Sequence, residues 1–267
     1  MASRKEQKEA ARQRRLEQER IRTEKARRVR RLRMLGGLVL GAAAVIAVAI
    51  AVSSGGGSSG GPPKPNSPTA RQDASLVSGL LAGIPQSETR IGSTKAPVTM
   101  TEYGDLECPI CKAFALGPEQ QLISKEVRDG QVQIVYKSLS TATSNGPNPS
   151  IFPTQQAAAY AAGKQNLGWN YILLFYHEQG SEDTGYVTPA YLDGLAGQIP
   201  GLDYSSWSSE RQSPTLSQQV STENQEANSL GLDSTPTLVF KGPKSQTQPI
   251  KGALTYAGLQ EAIKSVT

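Results

Sequence analysis

Cysteine and histidine are scarce in this chain: 267 residues hold two cysteines, Cys108 and Cys111, and one histidine, His177. That scarcity closes off several chemistries. Tetrahedral zinc wants four ligands, and these three residues fall short of a set. A purely structural role for the cysteine pair is also weak. A disulfide between residues three apart closes a tiny loop and stabilises little compared with a long one. Aromatic residues are only 6% of the chain and hydrophobic residues 37%, which is low yet compatible with a folded core. Charge is missing altogether from residues 34–52, and so long an uncharged run belongs in a bilayer.

What is present is unevenly distributed. Residues 1–33 hold 14 Lys/Arg and 5 Asp/Glu, a net of +9, whereas residues 53–267 carry a net of −4. The overall +5 therefore describes neither part, and the two must be read separately. The basic tail has high helix propensity, with pairs such as Arg20 and Glu24 at pairing distance. Nucleic-acid binding is one reading of so basic a segment; a cytoplasmic flank to a membrane span is the reading adopted, with no nucleic acid as partner. The 19 residues 34–52 span roughly 28 Å as a helix, enough to cross a bilayer. With the basic flank on the N-terminal side, the N-terminus stays cytoplasmic and the body is exported. The expectation is an uncleaved signal-anchor, single-pass. Cleavage is the alternative, because Ala47-Val48-Ala49 and Ala49-Ile50-Ala51 resemble processing sites. Residues 53–70, rich in Gly, Ser and Pro, read as a tether. Residues 71–267 read as one soluble domain outside the cytoplasm.

The chemistry centres on Cys108-Pro109-Ile110-Cys111. Thiol–disulfide exchange needs one sulfur to attack and a second to resolve the mixed disulfide. Cysteines at i and i+3 meet when they open a helix, and Pro109 suits the first helical position. Cys108 is then the N-cap, its sulfur facing free N–H groups and the positive helix end, which favours thiolate. Cys108 is predicted as the nucleophile and Cys111 as the shielded resolving thiol. Asp105 and Glu107 are expected to oppose the thiolate and Lys112 to support it. Ile110 offers no donor, so the helix terminus is expected to do most of the activation.

The pattern along the domain predicts a helix over 73–84, a short strand near 90–93 and a strand over 97–103. A helix over 109–128 kinked at Gly117-Pro118 and a strand over 131–139 follow. Residues 140–152 read as a loop. Helices are predicted over 153–164, 169–179, 188–198 with Thr188 as N-cap, and 215–230 ended by Gly231, with 204–212 ambiguous. Strands from 235 to 240 and 248 to 251 and a helix over 256–266 end the chain. The order is βαβ, helices, then ββα.

This arrangement resembles the thioredoxin fold. The run Thr101-Glu102-Tyr103-Gly104-Asp105-Leu106-Glu107-Cys108-Pro109-Ile110-Cys111 is similar to the active-site segment of DsbA-like disulfide oxidoreductases, and membrane-tethered members match best. The expected fold is α/β: thioredoxin-like, with a helical insertion at about 150–231 between the second and third core strands, preceded by a single transmembrane helix. The resemblance implies an exposed nucleophile at Cys108, the resolving thiol at Cys111, and a cis-proline at Pro236 facing the dithiol. Thr235 would be its backbone-contacting neighbour, the two offering a strand for substrates to pair with. It also places Glu102 as a semi-buried acid near the resolving thiol, able to relay protons. The only redox group implied is the Cys108–Cys111 disulfide, with no separate cofactor. Implied partners are exported cysteine-containing proteins and a membrane redox partner of the DsbB or vitamin K epoxide reductase kind. Strongly oxidising members carry histidine where this chain has Ile110, so oxidase is the expected role, with reductase or isomerase, or a tethered non-catalytic binding module, as alternatives. His177 reads as a satisfied or surface histidine.

Overall fold

A computed structural model describes residues 67–267. The basic tail, the predicted span 34–52 and nearly all of the tether lie outside the described residues. Among the described residues, no helix is long and apolar enough to cross a membrane.

Among the described residues the sheet has six strands, in the order β1-β2-β4-β3-β5-β6. These are β1 (Gln86–Ser87), β2 (Arg90–Ile91), β3 (Val98–Gly104), β4 (Val132–Ser138), β5 (Thr237–Lys241) and β6 (Ile250–Lys251). β3 and β4 run parallel; every other pairing is antiparallel. Parallel neighbours need a crossover, and the helix after β3 supplies it. Two rows across the central strands define the face that helices cover. Ile134, Met100 and Phe240 form one row, and Tyr136, Glu102 and Leu238 the next. All six are at most 1% exposed. Glu102 is therefore an ionisable group set in an otherwise apolar layer. On the opposite face Tyr103 packs with Leu139, Ala227 and Leu232.

Helix α1 covers Pro68–Leu81, five residues earlier than the predicted start at 73. Ser67 explains the shift, because its hydroxyl accepts from the Ala70 N–H and Pro68 occupies the first turn. The helix thus takes up the last residues of the expected tether. Helix α2 spans 109–127. It is regular at Pro109–Phe114 and Gln120–Leu122 and widened to π turns at Ala115–Glu119 and Ile123–Val127. The predicted break at Gly117-Pro118 is realised as the first π turn. Pro118 has no N–H to give and its ring crowds the preceding turn, and one extra residue in the turn relieves both.

The insertion between β4 and β5 holds α3 (Ala142–Asn145), α4 (Phe152–Gly163), α5 (Gly168–His177), α6 (Pro189–Ala196), α7 (Tyr204–Glu210) and α8 (Pro214–Ser229). The predicted loop 140–152 therefore contains a short helix and a 3₁₀ turn at Pro149–Ile151. The ambiguous stretch near 204 is helical because Asp203 caps it, accepting from the Ser205 and Ser206 N–H groups. Thr188 caps α6 as predicted. Helices α4 and α5 are buried nearly all round, as expected of central helices. They close tightly on the turn between β1 and β2. A Cβ at Gly168 would lie 2.2 Å from the Glu88 carbonyl oxygen. β5 begins at Thr237 rather than 235, because Pro236 has no N–H for the ladder. Helix α9 (Tyr256–Val266) ends the chain, capped by Thr255.

Candidate active site

β3 ends at Gly104, and the segment from Asp105 to Glu107 carries the chain to α2. Asp105 organises that segment. It is fully buried, and its carboxylate accepts from the Glu107 N–H (3.1 Å), the Thr141 N–H (2.9 Å), the Thr143 N–H (2.9 Å) and the Thr143 hydroxyl (2.6 Å). Burial pushes its carboxyl upward, and these bonds pull it back. Thr141 in turn shares a hydroxyl hydrogen bond with Thr235 at 2.5 Å. Asp105 thus ties the dithiol segment to the loop after β4, and Thr141 ties that loop to the one before β5. Gln179, just past α5, adds a second tie: its carboxamide donates to the carbonyls of Leu106 (2.7 Å) and Cys108 (3.1 Å).

Cys108 sits at the N-cap of α2 with extended backbone (φ −73°, ψ 120°), and Pro109 follows at the first turn. Both cysteines are free thiols. The Cys108 Sγ lies 3.4 Å from the Thr235 carbonyl oxygen, and the Thr235–Pro236 peptide bond is cis. The chain therefore brings Cys108, Cys111, Thr235 and Pro236 together, although 127 residues separate Cys108 from Thr235. Cys108 is only 6% exposed, so the expected exposed position is corrected: the Thr235–Pro236 loop and the Gln179 segment cover it. Cys111 is 0% exposed.

The two thiols differ in acidity. A hydrogen bond from the Cys111 thiol lowers Cys108 most, burial opposes it, and Thr235 and the N–H groups of Cys111 and Ile110 add smaller lowering effects. The expectation that the helix terminus dominates is thereby corrected. The helix amides face the sulfur, but it closes no cap hydrogen bond. Cys111 is pushed well above the ordinary thiol range, first by burial and then by Cys108 and Glu102. The sequence neighbours act elsewhere. Asp105 is engaged by the threonine loop, and the Lys112 Nζ donates to the Gln179 carbonyl at 3.2 Å. Ile110 packs against the core. His177 Nδ1 lies 3.6 Å from Asp73.

Glu102 is 1% exposed, fully buried rather than semi-buried. Burial raises its carboxyl from 4.5 to about 7, and the neighbouring Glu119 carboxyl works against that rise. Glu119 is itself 0% exposed and held well above the usual carboxylate range by burial and by Glu102. Sequence reasoning missed Glu119, Asp105 as a hub, and Gln179. An acid directly after Pro118 in an apolar helix was a usable signal for the first. Nothing in the sequence distinguishes Gln179.

Comparison with known proteins agrees with this geometry. The family model described as thioredoxin matches residues 86–265. The probable disulfide bond formation protein D of Bacillus cereus is 20% identical over 157 residues, covering 58% of this chain and 71% of that protein. The crystal structure of oxidised BdbD from Bacillus subtilis superposes with a TM-score of 0.57 at 20% identity, covering 68% of this chain and 95% of that one. Pseudomonas aeruginosa DsbA2 gives a TM-score of 0.54 at 20% identity over 69% and 97%. At such identity the structural likeness is one of fold, and the family match covers most of the chain. This chain belongs to the thioredoxin family, as a DsbA-like thiol–disulfide oxidoreductase.

Proposed function

We propose that the enzyme works outside the cytoplasm as an oxidase, passing the Cys108–Cys111 disulfide to exported proteins that carry cysteine pairs. One observation carries this reading: the Cys108 sulfur, at the head of α2, lies 3.4 Å from the Thr235 carbonyl oxygen with Cys111 fully buried behind it, an asymmetry that leaves Cys108 the more acidic thiol. In that asymmetry Cys108 is the nucleophile and the sulfur that clients attack, and Cys111 is the resolving thiol. A client thiolate attacks Cys108, a mixed disulfide forms, and the electron pair of the broken S–S bond goes to Cys111. The client's second thiol then displaces Cys108 as thiolate, which leaves well because it is acidic. Thr235 and Pro236 form the surface along which an extended client strand aligns, and Pro109 and Ile110 shape the helix start. Glu102 serves as proton relay to Cys111. No cofactor is needed beyond the dithiol.

Residues 34–52 anchor the enzyme in the cell membrane with residues 1–33 cytoplasmic, as the charge distribution supports. A membrane redox partner of the DsbB or vitamin K epoxide reductase kind reoxidises it. The test is trapping. A Cys111→Ala variant, expressed in full length and held at mildly alkaline pH, accumulates mixed disulfides between Cys108 and exported cysteine-containing proteins. Absence of conjugates argues for a tethered binding module instead. A reduction potential near thioredoxin's, about −270 mV, turns the direction to reductase.

A further inference from the structure

Glu119 is a buried ionisable group for which that scheme has no use. Its position follows from the π turn. An unbroken α-helix turns about 100° per residue, so the residue seven on from Cys111, Pro118, would share its face. The extra residue in the π turn Ala115–Glu119 hands that place to Glu119. Burial records the shift: Cys111, Phe114, Ala115, Glu119 and Leu122 are buried, whereas Pro118 is only half-buried. Glu119 thus lies two turns below Cys111, on the side facing Glu102 of β3.

The groups around the two carboxyls are few. α2 contributes Cys111, β4 contributes Tyr136 and α5 contributes Tyr176, all of them neutral when protonated. β5 contributes Leu238 at the Glu102 register. Among the described residues no lysine or arginine acts on either carboxyl. One oxygen of Glu102 and both of Glu119 are buried with no hydrogen-bond donor. Two carboxylates cannot both ionise at such a place. The pair is satisfied only when one of them carries a hydrogen to give to the other.

We propose that Glu119 stays protonated and donates its carboxyl hydrogen to Glu102, so that Glu102 can release and regain a proton for Cys111. Glu119 is a positioning residue that acts through Glu102, and this rests on the exchange chemistry proposed above. When a client thiolate attacks Cys108, the S–S bond breaks and its electron pair goes to Cys111. Cys111 takes the proton of Glu102, and the new carboxylate keeps the Glu119 O–H bond. On reoxidation by a partner disulfide the proton returns from Cys111 to Glu102. Without Glu119, burial alone would hold that proton on Glu102 in the neutral range.

The experiment follows the second release of thionitrobenzoate when the reduced full-length protein reacts with an aromatic disulfide reagent. That phase reports Cys111 attacking the mixed disulfide at Cys108, for which Glu102 must accept the proton. Its rate in the wild type rises with pH through a midpoint near 7. Glu119→Leu moves the midpoint up by about one unit, a roughly tenfold slower release below it. Glu119→Gln, whose amide still donates, keeps the wild-type profile. A Glu119→Leu profile that overlays wild type overturns the proposal, as does a Glu119→Gln shift equal to that of Glu119→Leu. If Glu119→Leu does not fold, carboxyl carbon NMR of the wild type decides: one glutamate titrating near neutral and a second still protonated in mild alkali support it, and both ionised by mildly acidic pH refute it. A wild type that releases no second equivalent at any pH refutes the exchange chemistry itself.

Discussion

Removing the Cys111 sulfur should make Cys108 a weaker acid, and by an amount the geometry bounds. The hydrogen bond from the Cys111 thiol is the largest influence lowering Cys108, and burial is the largest opposing one. A hydrogen bond to a charged group is worth about 1.5–3 kcal/mol, or about one to two pKa units at 1.36 kcal/mol each. Cys111→Ala deletes the bond and leaves the burial, so the Cys108 pKa returns to the ordinary thiol range or above it. At neutral pH the thiolate fraction falls about tenfold to a hundredfold. The assay is thiolate absorbance in the ultraviolet across a pH series, with alkylation rates as a second readout. In the wild type Cys111 stays silent in both, because burial holds it protonated. Cys111→Ser retains a hydroxyl donor and should fall between the two. A Cys111→Ala midpoint equal to wild type refutes the reasoning, and the amides of Ile110 and Cys111 would then be the source of the acidity.

Three further outcomes follow from the same contacts. Glu102 binds its proton more tightly folded (about 7) than at its ordinary value of 4.5; its contribution is therefore fully present below pH 4.5 and declines as pH rises through 7. The loss is about 3 kcal/mol, and urea unfolding at pH 4.5 and 8 should show Glu102→Gln without that decline. Asp105→Ala leaves the amides of Glu107, Thr141 and Thr143 without their acceptor. At about 1–3 kcal/mol for each unsatisfied buried group, the urea midpoint should fall sharply and dithiol reactivity with it; a loss under about 1 kcal/mol would contradict the hub assigned to Asp105. Gly104→Ala places a Cβ 2.5 Å from the Tyr136 ring, so overpacking should cost about 1–3 kcal/mol by calorimetry.

The basic tail, the membrane span and all but the last residues of the tether predicted for 53–70 fall outside the described residues, and within the domain the sequence was informative where signals are short-ranged. Pro109 after Cys108 marked the start of α2, Thr188 marked α6, and Gly231, with φ of 70°, marked the end of α8. The strand predicted over 97–103 is β3 at Val98–Gly104. The resemblance carried by the Cys108 segment and Thr235-Pro236 placed the cis bond correctly. Boundaries slipped where a cap lay earlier than the apolar pattern, as Ser67 does before α1.

Local chemistry written into neighbouring residues was thus readable from the chain: the i, i+3 thiols, the proline that starts their helix, the caps and the strand periodicity. Packing alone decided which groups act on those thiols. A charge three residues away, Asp105, turned out to serve the loop at Thr141 and Thr143, while Thr235, 127 residues distant, came to lie against Cys108. Glu119 reached Glu102 only because a π turn changed the face it occupies. The acidity of a buried group depends on what surrounds it in space, and that is set by distances no linear pattern encodes.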